Sequence, residues 1–250
     1  MSATMDYQRP ATIAEAVALL RGARPLAGGT SLTAQRRGVR AVADLQDLNL
    51  DRISQAGDGL EFGSCVRLQS LLEATQGIPE AMRVAASQEA GWNLRNVATL
   101  GGMIAGGGSR SPLLIALLAL RTEVWLEPDG DWRDLDDLLK GRPGSLEGRL
   151  ITSLRLRLPS QSGYEQVGRT PADWPIVAAA AAVWDGGMTV AVGGFGDRPH
   201  RLIAADGAGG FAASAAQAFA DSGDAWASAA YRSAIGAILT RRVVERLAVR

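Results

Sequence analysis

Two segments of this sequence combine residue types that can grip a phosphate. The first is Pro25-Leu26-Ala27-Gly28-Gly29-Thr30-Ser31-Leu32, and the second is Asn96-Val97-Ala98-Thr99-Leu100-Gly101-Gly102-Met103-Ile104-Ala105. Each sets a pair of glycines beside a threonine. A diphosphate needs backbone N–H groups aimed at its oxygens with no β-carbon in the way. Paired glycines meet both needs, and a threonine hydroxyl adds a donor. Neither segment is a P-loop, because no Gly-Lys-Ser/Thr follows, and neither has the Gly-x-Gly-x-x-Gly spacing that opens a dinucleotide-binding helix. A lone Gly-Gly-Thr is also an ordinary turn. Two of them at the ends of successive strand–helix units suggest a diphosphate held from both sides without lysine.

Other chemistry is sparse. The single cysteine, Cys65, can form no intrachain disulfide and cannot alone hold an iron–sulfur cluster or a thiolate zinc site; a small buried residue is expected there. The lone histidine, His200, follows Arg198-Pro199 in a loop-like stretch and reads as a surface residue. No catalytic residue and no metal ligand are expected.

The elements around the two loops follow from pattern. Thr12-Ile13-Ala14-Glu15 has capping-box spacing and opens a helix with Ile13, Ala16, Val17 and Leu20 on one face. Arg24–Ala27 and Ala41–Leu45 read as strands, an α/β alternation. After Gly57-Asp58-Gly59 come a strand at Leu60–Ser64 and helices at Leu68–Thr75 and Pro79–Ala90. Thr99–Gly108 is glycine-rich, Pro112–Leu120 is a fully apolar helix, and Glu123–Glu127 is a strand. Leu154, Leu156 and Leu158 alternate with arginines, as in a half-buried strand. Pro159–Gly163 reads as a linker. Ile176–Trp184 and Met188–Gly193 form a hairpin across Asp185-Gly186-Gly187. A closing helix places Tyr231, Ile235, Leu239 and Val243 on one face, with Arg241, Arg242, Arg246 and Arg250 toward its C-terminal end, where they complement the helix dipole.

With 250 residues and 47% hydrophobic content, the chain can bury a sizeable core. Its 26 basic and 26 acidic residues cancel, which argues against a general nucleic-acid or membrane-surface binder. Met1–Pro10 has no apolar signal-peptide core, and Leu113–Leu120 is too short to span a bilayer, so a cytoplasmic protein without membrane insertion is expected.

Arg24-Pro25-Leu26-Ala27-Gly28-Gly29-Thr30-Ser31-Leu32 closely resembles the "ARPLAGGTDL" loop of the FAD-binding subunit of molybdopterin dehydrogenases. That family includes xanthine dehydrogenase and the medium subunit of carbon monoxide dehydrogenase. Leu94-Arg95-Asn96-Val97-Ala98-Thr99-Leu100-Gly101-Gly102 resembles its "IRNxGTLGGN" segment. Leu150–Pro159 is similar to the stretch after its "PGEL" turn, and Gly168–Trp174 resembles its "K-x-G-D-W" region with arginine in place of lysine. Val190–Leu202 and Ala227–Arg242 resemble its C-terminal domain, so the likeness covers nearly the whole chain.

The resemblance implies an α+β fold: a two-subdomain FAD-binding unit of the PCMH (vanillyl-alcohol-oxidase-like) type over residues 1–159, with subdomains of about 1–57 and 58–159, then a smaller α+β C-terminal domain over 160–250. It implies FAD as cofactor, with the pyrophosphate between Ala27, Gly28, Gly29, Thr30 and Ser31 on one side and Thr99, Leu100, Gly101, Gly102 and Met103 on the other. Leu150 would lie near the flavin ring, as would Gln166, which stands in Tyr164-Glu165-Gln166-Val167-Gly168 where many members have the lysine of a "Y-x-K-x-G" pattern. It further implies an electron-transfer subunit of a molybdenum hydroxylase. Its partners would be an iron–sulfur subunit and a large subunit, which alone carry the 2Fe-2S clusters and the molybdopterin, and its acceptor NAD or a quinone. Three departures stand out. Met103 replaces the family's asparagine, Pro112 falls where an aspartate approaches the ribityl chain, and Gln166 replaces the lysine. These leave two alternatives open: a self-contained FAD-dependent oxidoreductase, or a scaffold subunit with weakened FAD binding.

Overall fold

A computed structural model describes residues 5–34, 38–75, 77–171, 173–202 and 207–248. Residues 1–4 of the polar N-terminal stretch, Ala172 of the Gly168–Trp174 segment, and Arg250 of the C-terminal arginine cluster lie outside the described residues. In chain order the first half runs β1 (Asp6–Gln8), α1 (Ile13–Leu19), β2 (Arg24–Leu26), α2 (Thr30–Ala34), β3 (Ala41–Asp44), β4 (Ile53–Ala56), β5 (Gly59–Gly63), α3 (Leu68–Glu73), α4 (Glu80–Glu89), α5 (Trp92–Arg95), α6 (Leu100–Gly106) and α7 (Pro112–Ala119). The second half runs β6 (Glu123–Glu127), β7 (Asp131–Asp134), α8 (Leu135–Lys140), β8 (Leu150–Arg157), β9 (Gln161–Val167), β10 (Val177–Trp184), β11 (Gly187–Gly193), β12 (His200–Arg201), α9 (Gly207–Ala218) and α10 (Ala229–Ala248).

The chain packs as two compact units that interleave along the sequence. The first comprises Met1–Ser70, Trp92–Gly106 and Glu123–Leu156; the second comprises Leu71–Gly91, Gly107–Thr122 and Arg157–Arg250. The contiguous division at residue 159 expected above does not coincide with these packing units. α4 and α7, which precede residue 159, pack on the sheet built by residues that follow it.

In the first unit β1, β3 and β2 form a parallel sheet in the order β1-β3-β2, and five strands form a second sheet, β4-β5-β8-β6-β7. Thr12 caps α1 by accepting the Glu15 N–H at 3.2 Å, while the Glu15 carboxylate reaches back to the N–H of Ala11 at 2.8 Å. That contact falls one residue before the N-cap position the capping box predicts. The apolar face of α1 packs as anticipated: Ala16 is buried with Leu45, Leu48 and Leu150, and Ile13, Val17 and Leu20 border the cluster.

The second unit is a four-stranded antiparallel sheet, β12-β11-β10-β9, with helices on it. Ala178–Ala182 of β10 are wholly buried. Successive strand residues face opposite sides, so Ala179 and Ala181 join the cluster made with Phe211, Phe219, Leu239 and Val243 of the α9–α10 region. Gly193, paired with Ala178, faces α7, where an added β-carbon would lie 2.6 Å from Ile115 Cδ1. A strand buried on both faces reads as an unbroken apolar run, and its small side chains let helices approach closely. α7 is buried at every position, as befits a helix that is apolar all round. The hairpin turns where expected, with Trp184 opposite Gly187 and Gly187 at φ +128°.

Two expectations need correction. Pro159–Gly163 is not all linker: β9 begins at Gln161, in register with Val183, because ladder pairing with β10 outweighs the weak strand propensity of Ser and Gly. The glycine-rich Thr99–Gly108 stretch is largely the helix α6, its geometry set by anchors described below.

Among the described residues of the second unit, an arginine and a carboxyl side chain are buried. Arg232 is 1% exposed. Its Nη2 donates to both Asp224 carboxylate oxygens at 2.9 Å, Nη1 donates to the carbonyls of Ala227 (3.1 Å) and Ser222, and Nε donates to Ile176 at 3.4 Å. Glu89 is 2% exposed at the end of α4. Its Oε2 accepts the Ser111 hydroxyl and the Leu113 N–H, both at 2.8 Å, at the start of α7, while Oε1 has no hydrogen-bond partner. Burial pushes the Glu89 carboxyl up to about 7, and the two hydrogen bonds only partly oppose that shift.

Candidate cofactor-binding site

The first glycine loop connects β2 to α2. Gly29 takes φ +71°, a left-handed conformation that glycine adopts without penalty, and its carbonyl accepts the Thr33 N–H at 2.8 Å to start α2. The N–H groups of the first helical turn have no carbonyl within the helix to bond. Ala27, Gly28, Gly29 and Thr30 are half-buried and Ser31 is exposed.

The second loop is fixed by three backbone bonds to the chain after β5. Leu68 N–H donates to Ala98 O at 3.0 Å, Leu100 N–H to Val66 O at 3.0 Å, and Gly101 N–H to Ser64 O at 2.7 Å. Gly101 is glycine for packing, since an added β-carbon would lie 2.8 Å from Ser64 Cβ. Thr99 caps α6, its hydroxyl accepting the Gly102 N–H at 3.3 Å. At the other end of α6, Arg142 Nη1 donates to Ile104 O at 2.7 Å. Replacing Thr99 with alanine therefore removes an N-cap and is expected to cost about 1 kcal/mol. An unchanged urea midpoint in the variant would show that the hydroxyl caps nothing of consequence.

The fold brings the two loops together. A β-carbon on Gly28 would sit 1.8 Å from the Val97 carbonyl oxygen, and one on Gly106 would sit 3.4 Å from Ser31 Oγ. Gly28 is thus required for loop-to-loop contact, whereas Gly102 is exposed, with only Thr99 Oγ1 near its missing β-carbon, at 3.0 Å. Thr99, Leu100 and Gly101 are buried, and Met103 is half-buried. Neither 26–34 nor 96–106 contains an acidic residue, so no carboxylate within the loops opposes a diphosphate. Backbone N–H groups at α2, the hydroxyls of Thr30 and Ser31, and the β-carbon-free surface at Gly102 fit such a group.

The remaining expected residues lie elsewhere. The Leu150 side chain is 2% exposed and packed against α1 and the chain after β3, so only its backbone could face a ligand. Gln166 belongs to β9 in the second unit, where it accepts the Tyr164 hydroxyl at 2.7 Å and donates to Gln88 Oε1 at 3.4 Å. Cys65 is half-buried and its thiol is pushed up to about 11 by burial, which makes it unreactive. Sequence reading missed the Val97 carbonyl, Gly106, Ser64 and Arg142; of these only Gly106 carried a signal, in the glycine run it begins. Among the described residues no group of three or more His, Cys, Asp or Glu could hold a metal ion, and no helix is long and apolar enough to cross a membrane.

Comparison with known proteins decides the family. Residues 3–159 match the family described as "FAD binding domain in molybdopterin dehydrogenase". The chain belongs to this family. Among its relatives, protein YgfM of Escherichia coli K12 is 31% identical over 205 residues, covering 79% of this chain and 77% of its own. The carbon monoxide dehydrogenase medium chain of Afipia carboxidovorans is 28% identical, covering 99% of this chain and 98% of its own. A chain of the reconstituted carbon monoxide dehydrogenase from Oligotropha carboxidovorans superposes with a TM-score of 0.84 at 25% identity, covering 100% of this chain and 99% of that one. As a molybdopterin dehydrogenase FAD-binding chain, this protein is a flavoprotein component of an oxidoreductase with an α+β fold, and its family's cofactor is FAD.

Proposed function

We propose that the chain is the electron-transfer subunit of a molybdenum hydroxylase, linking the iron–sulfur clusters of one partner and the molybdopterin of a large subunit to an external acceptor, NAD or a quinone, in the cytoplasm. The observation that carries this reading is the meeting of two β-carbon-free loops, Gly28 against Val97 and Ser31 against Gly106, in a chain that matches a carbon monoxide dehydrogenase medium chain end to end.

FAD, when bound, supplies the redox chemistry, and the protein supplies position and electrostatics. Residues 1–159 hold the cofactor, with 160–250 as the C-terminal domain. Ala27–Ser31 offer N–H and hydroxyl donors to the pyrophosphate. Thr99 fixes the start of α6, so that Leu100, Gly101 and Gly102 present a rigid helical turn. Met103 and the Leu150 backbone border the flavin. No general base is required of this chain, in keeping with its lack of a carboxylate or histidine pair in the loops.

Purification tests the reading. The chain is expected to carry flavin absorbance, to co-purify with iron–sulfur and molybdopterin-binding subunits when co-expressed with them, and to hydroxylate no aldehyde or aromatic heterocycle alone. Turnover of either substrate by the isolated chain would contradict it.

A further inference from the structure

α6 meets the first glycine loop at its far end. Gly102, Ala105 and Gly106 are exposed and, at i, i+3 and i+4, share one face of the helix. A β-carbon on Gly106 would lie 3.4 Å from Ser31 Oγ and 3.8 Å from Ser31 Cβ. The end of α6 beside Ser31 is therefore its carbonyl end. The last carbonyls of a helix find no N–H within it and carry the negative pole of its dipole. Left bare, they would repel a phosphate that Ser31 holds.

Arg142 covers them. Its Nη1 donates to Ile104 O at 2.7 Å and to Ala105 O at 3.4 Å, the two carbonyls directly before Gly106. Basic side chains complement a helix C-terminus in this way. The half-buried side chain starts from a firm turn after α8, where the Ser145 N–H donates to Gly141 O at 2.9 Å and the Ser145 hydroxyl to Leu138 O at 2.8 Å. α6 is thus tied at both ends: by the Val66 and Ser64 carbonyls at its start, and by Arg142 at its finish.

We propose that Arg142 is a positioning residue for the cofactor's pyrophosphate, a role that rests on the placement of FAD between the two loops proposed above. Arg142 fixes the end of α6 so that the Gly102–Ala105–Gly106 face meets Ser31. It also occupies carbonyls that would otherwise face phosphate oxygens. Binding groups work only when their supports hold them in the productive geometry. Without Arg142, α6 keeps its pinned start but its far end is free to move from Ser31, and the gap between the loops is no longer set.

The test is the affinity of the full chain, stripped of flavin, for FAD by fluorescence titration and for ADP by displacement of FAD, well below the melting temperature. ADP carries the diphosphate without the flavin ring. Arg142→Met keeps the length of the side chain and removes its donors; Arg142→Lys restores a charged donor. Arg142→Met is expected to weaken FAD and ADP by the same factor, at least ~10-fold, and Arg142→Lys to recover most of that loss. Lower melting with unchanged affinity of the folded protein would reduce Arg142 to a structural role and overturn the inference. Weaker FAD with unchanged ADP would also overturn it, by assigning Arg142 to the flavin end. Gly106→Val presses on the same junction from the other side and serves if the methionine variant does not fold; wild-type affinity there overturns the inference too. Loss of FAD in Gly102→Val with wild-type affinity in Arg142→Met sinks this inference alone, whereas wild-type affinity in both sinks the placement of FAD with it.

Discussion

Arg232→Ala is expected to destabilise the protein by about 3 kcal/mol, because it strands carbonyl acceptors and leaves a void where a fully buried side chain stood, while the Asp224 carboxylate, a third exposed, stays solvated. The guanidinium is 1% exposed and ties the chain entering β10, at Ile176, to the α9–α10 loop at Ser222, Asp224 and Ala227. Alanine leaves the Ser222, Ala227 and Ile176 carbonyls without that donor and opens a cavity beside Phe195, whose ring centre lies 5.2 Å from the guanidinium carbon. At roughly 2–4 °C per kcal/mol for a chain of this size, the melting temperature should fall by about 10 °C. Arg232→Lys should recover only part of the loss, since an ammonium cannot span the same fork of acceptors. A variant melting within about 2 °C of the wild type would show that the network contributes little.

Glu89→Gln carries the second large expectation, and its sign depends on pH. The carboxyl is raised from an ordinary value of 4.5 to about 7, chiefly by burial and despite hydrogen bonds from Leu113 and Ser111. α7 brings no titratable residue to it, β10 brings none, and β9 brings Tyr164, whose hydroxyl is itself raised well above its ordinary value by burial and by Glu89. A group raised in the folded state contributes stability that is full below its unfolded value and is lost as pH rises through its folded one. Wild-type stability should therefore decline from about pH 4.5 to above pH 7 by up to roughly 3 kcal/mol from this group. Glutamine keeps an acceptor for Ser111 and Leu113 without a charge to desolvate. Denaturant titrations across that range should show the variant more stable than wild type above pH 7, with the gap closing toward pH 5. Parallel pH profiles for the two proteins would refute the assignment.

The sequence made visible what depends on local chemistry. The paired glycines marked both loops, Asp185-Gly186-Gly187 marked the hairpin, and the unbroken apolar run of α7 marked a buried helix. What depends on distant partners was not visible. α6 forms in a glycine-rich stretch because Leu100 and Gly101 are pinned to Val66 and Ser64 and Thr99 caps the turn. α4 and α7 leave their sequence neighbours to cover the sheet of the second unit, where the alanines of β10 make room for them. Glu89 looks like a surface residue in a helical pattern until α7 closes over it. The site separated in the same way. Gly28 and Gly102 carry the same sequence signature, yet one is needed by the protein's own backbone and the other faces solvent.

That separation supplies the most direct test of FAD binding between the two loops. Gly102→Val adds bulk on the open side of the second loop, with only the Thr99 hydroxyl at 3.0 Å to displace, and valine suits a helix better than glycine. Substitution at Gly28 would instead force the loops apart and confuse unfolding with loss of ligand. The measurement is FAD affinity of the purified variant by flavin fluorescence titration, beside its apo-protein melting temperature. FAD binding weakened at least ~10-fold, about 1.4 kcal/mol, with melting unchanged is the predicted result. Wild-type affinity and full yellow colour in Gly102→Val would contradict the placement of the pyrophosphate between Ala27–Ser31 and Thr99–Gly102.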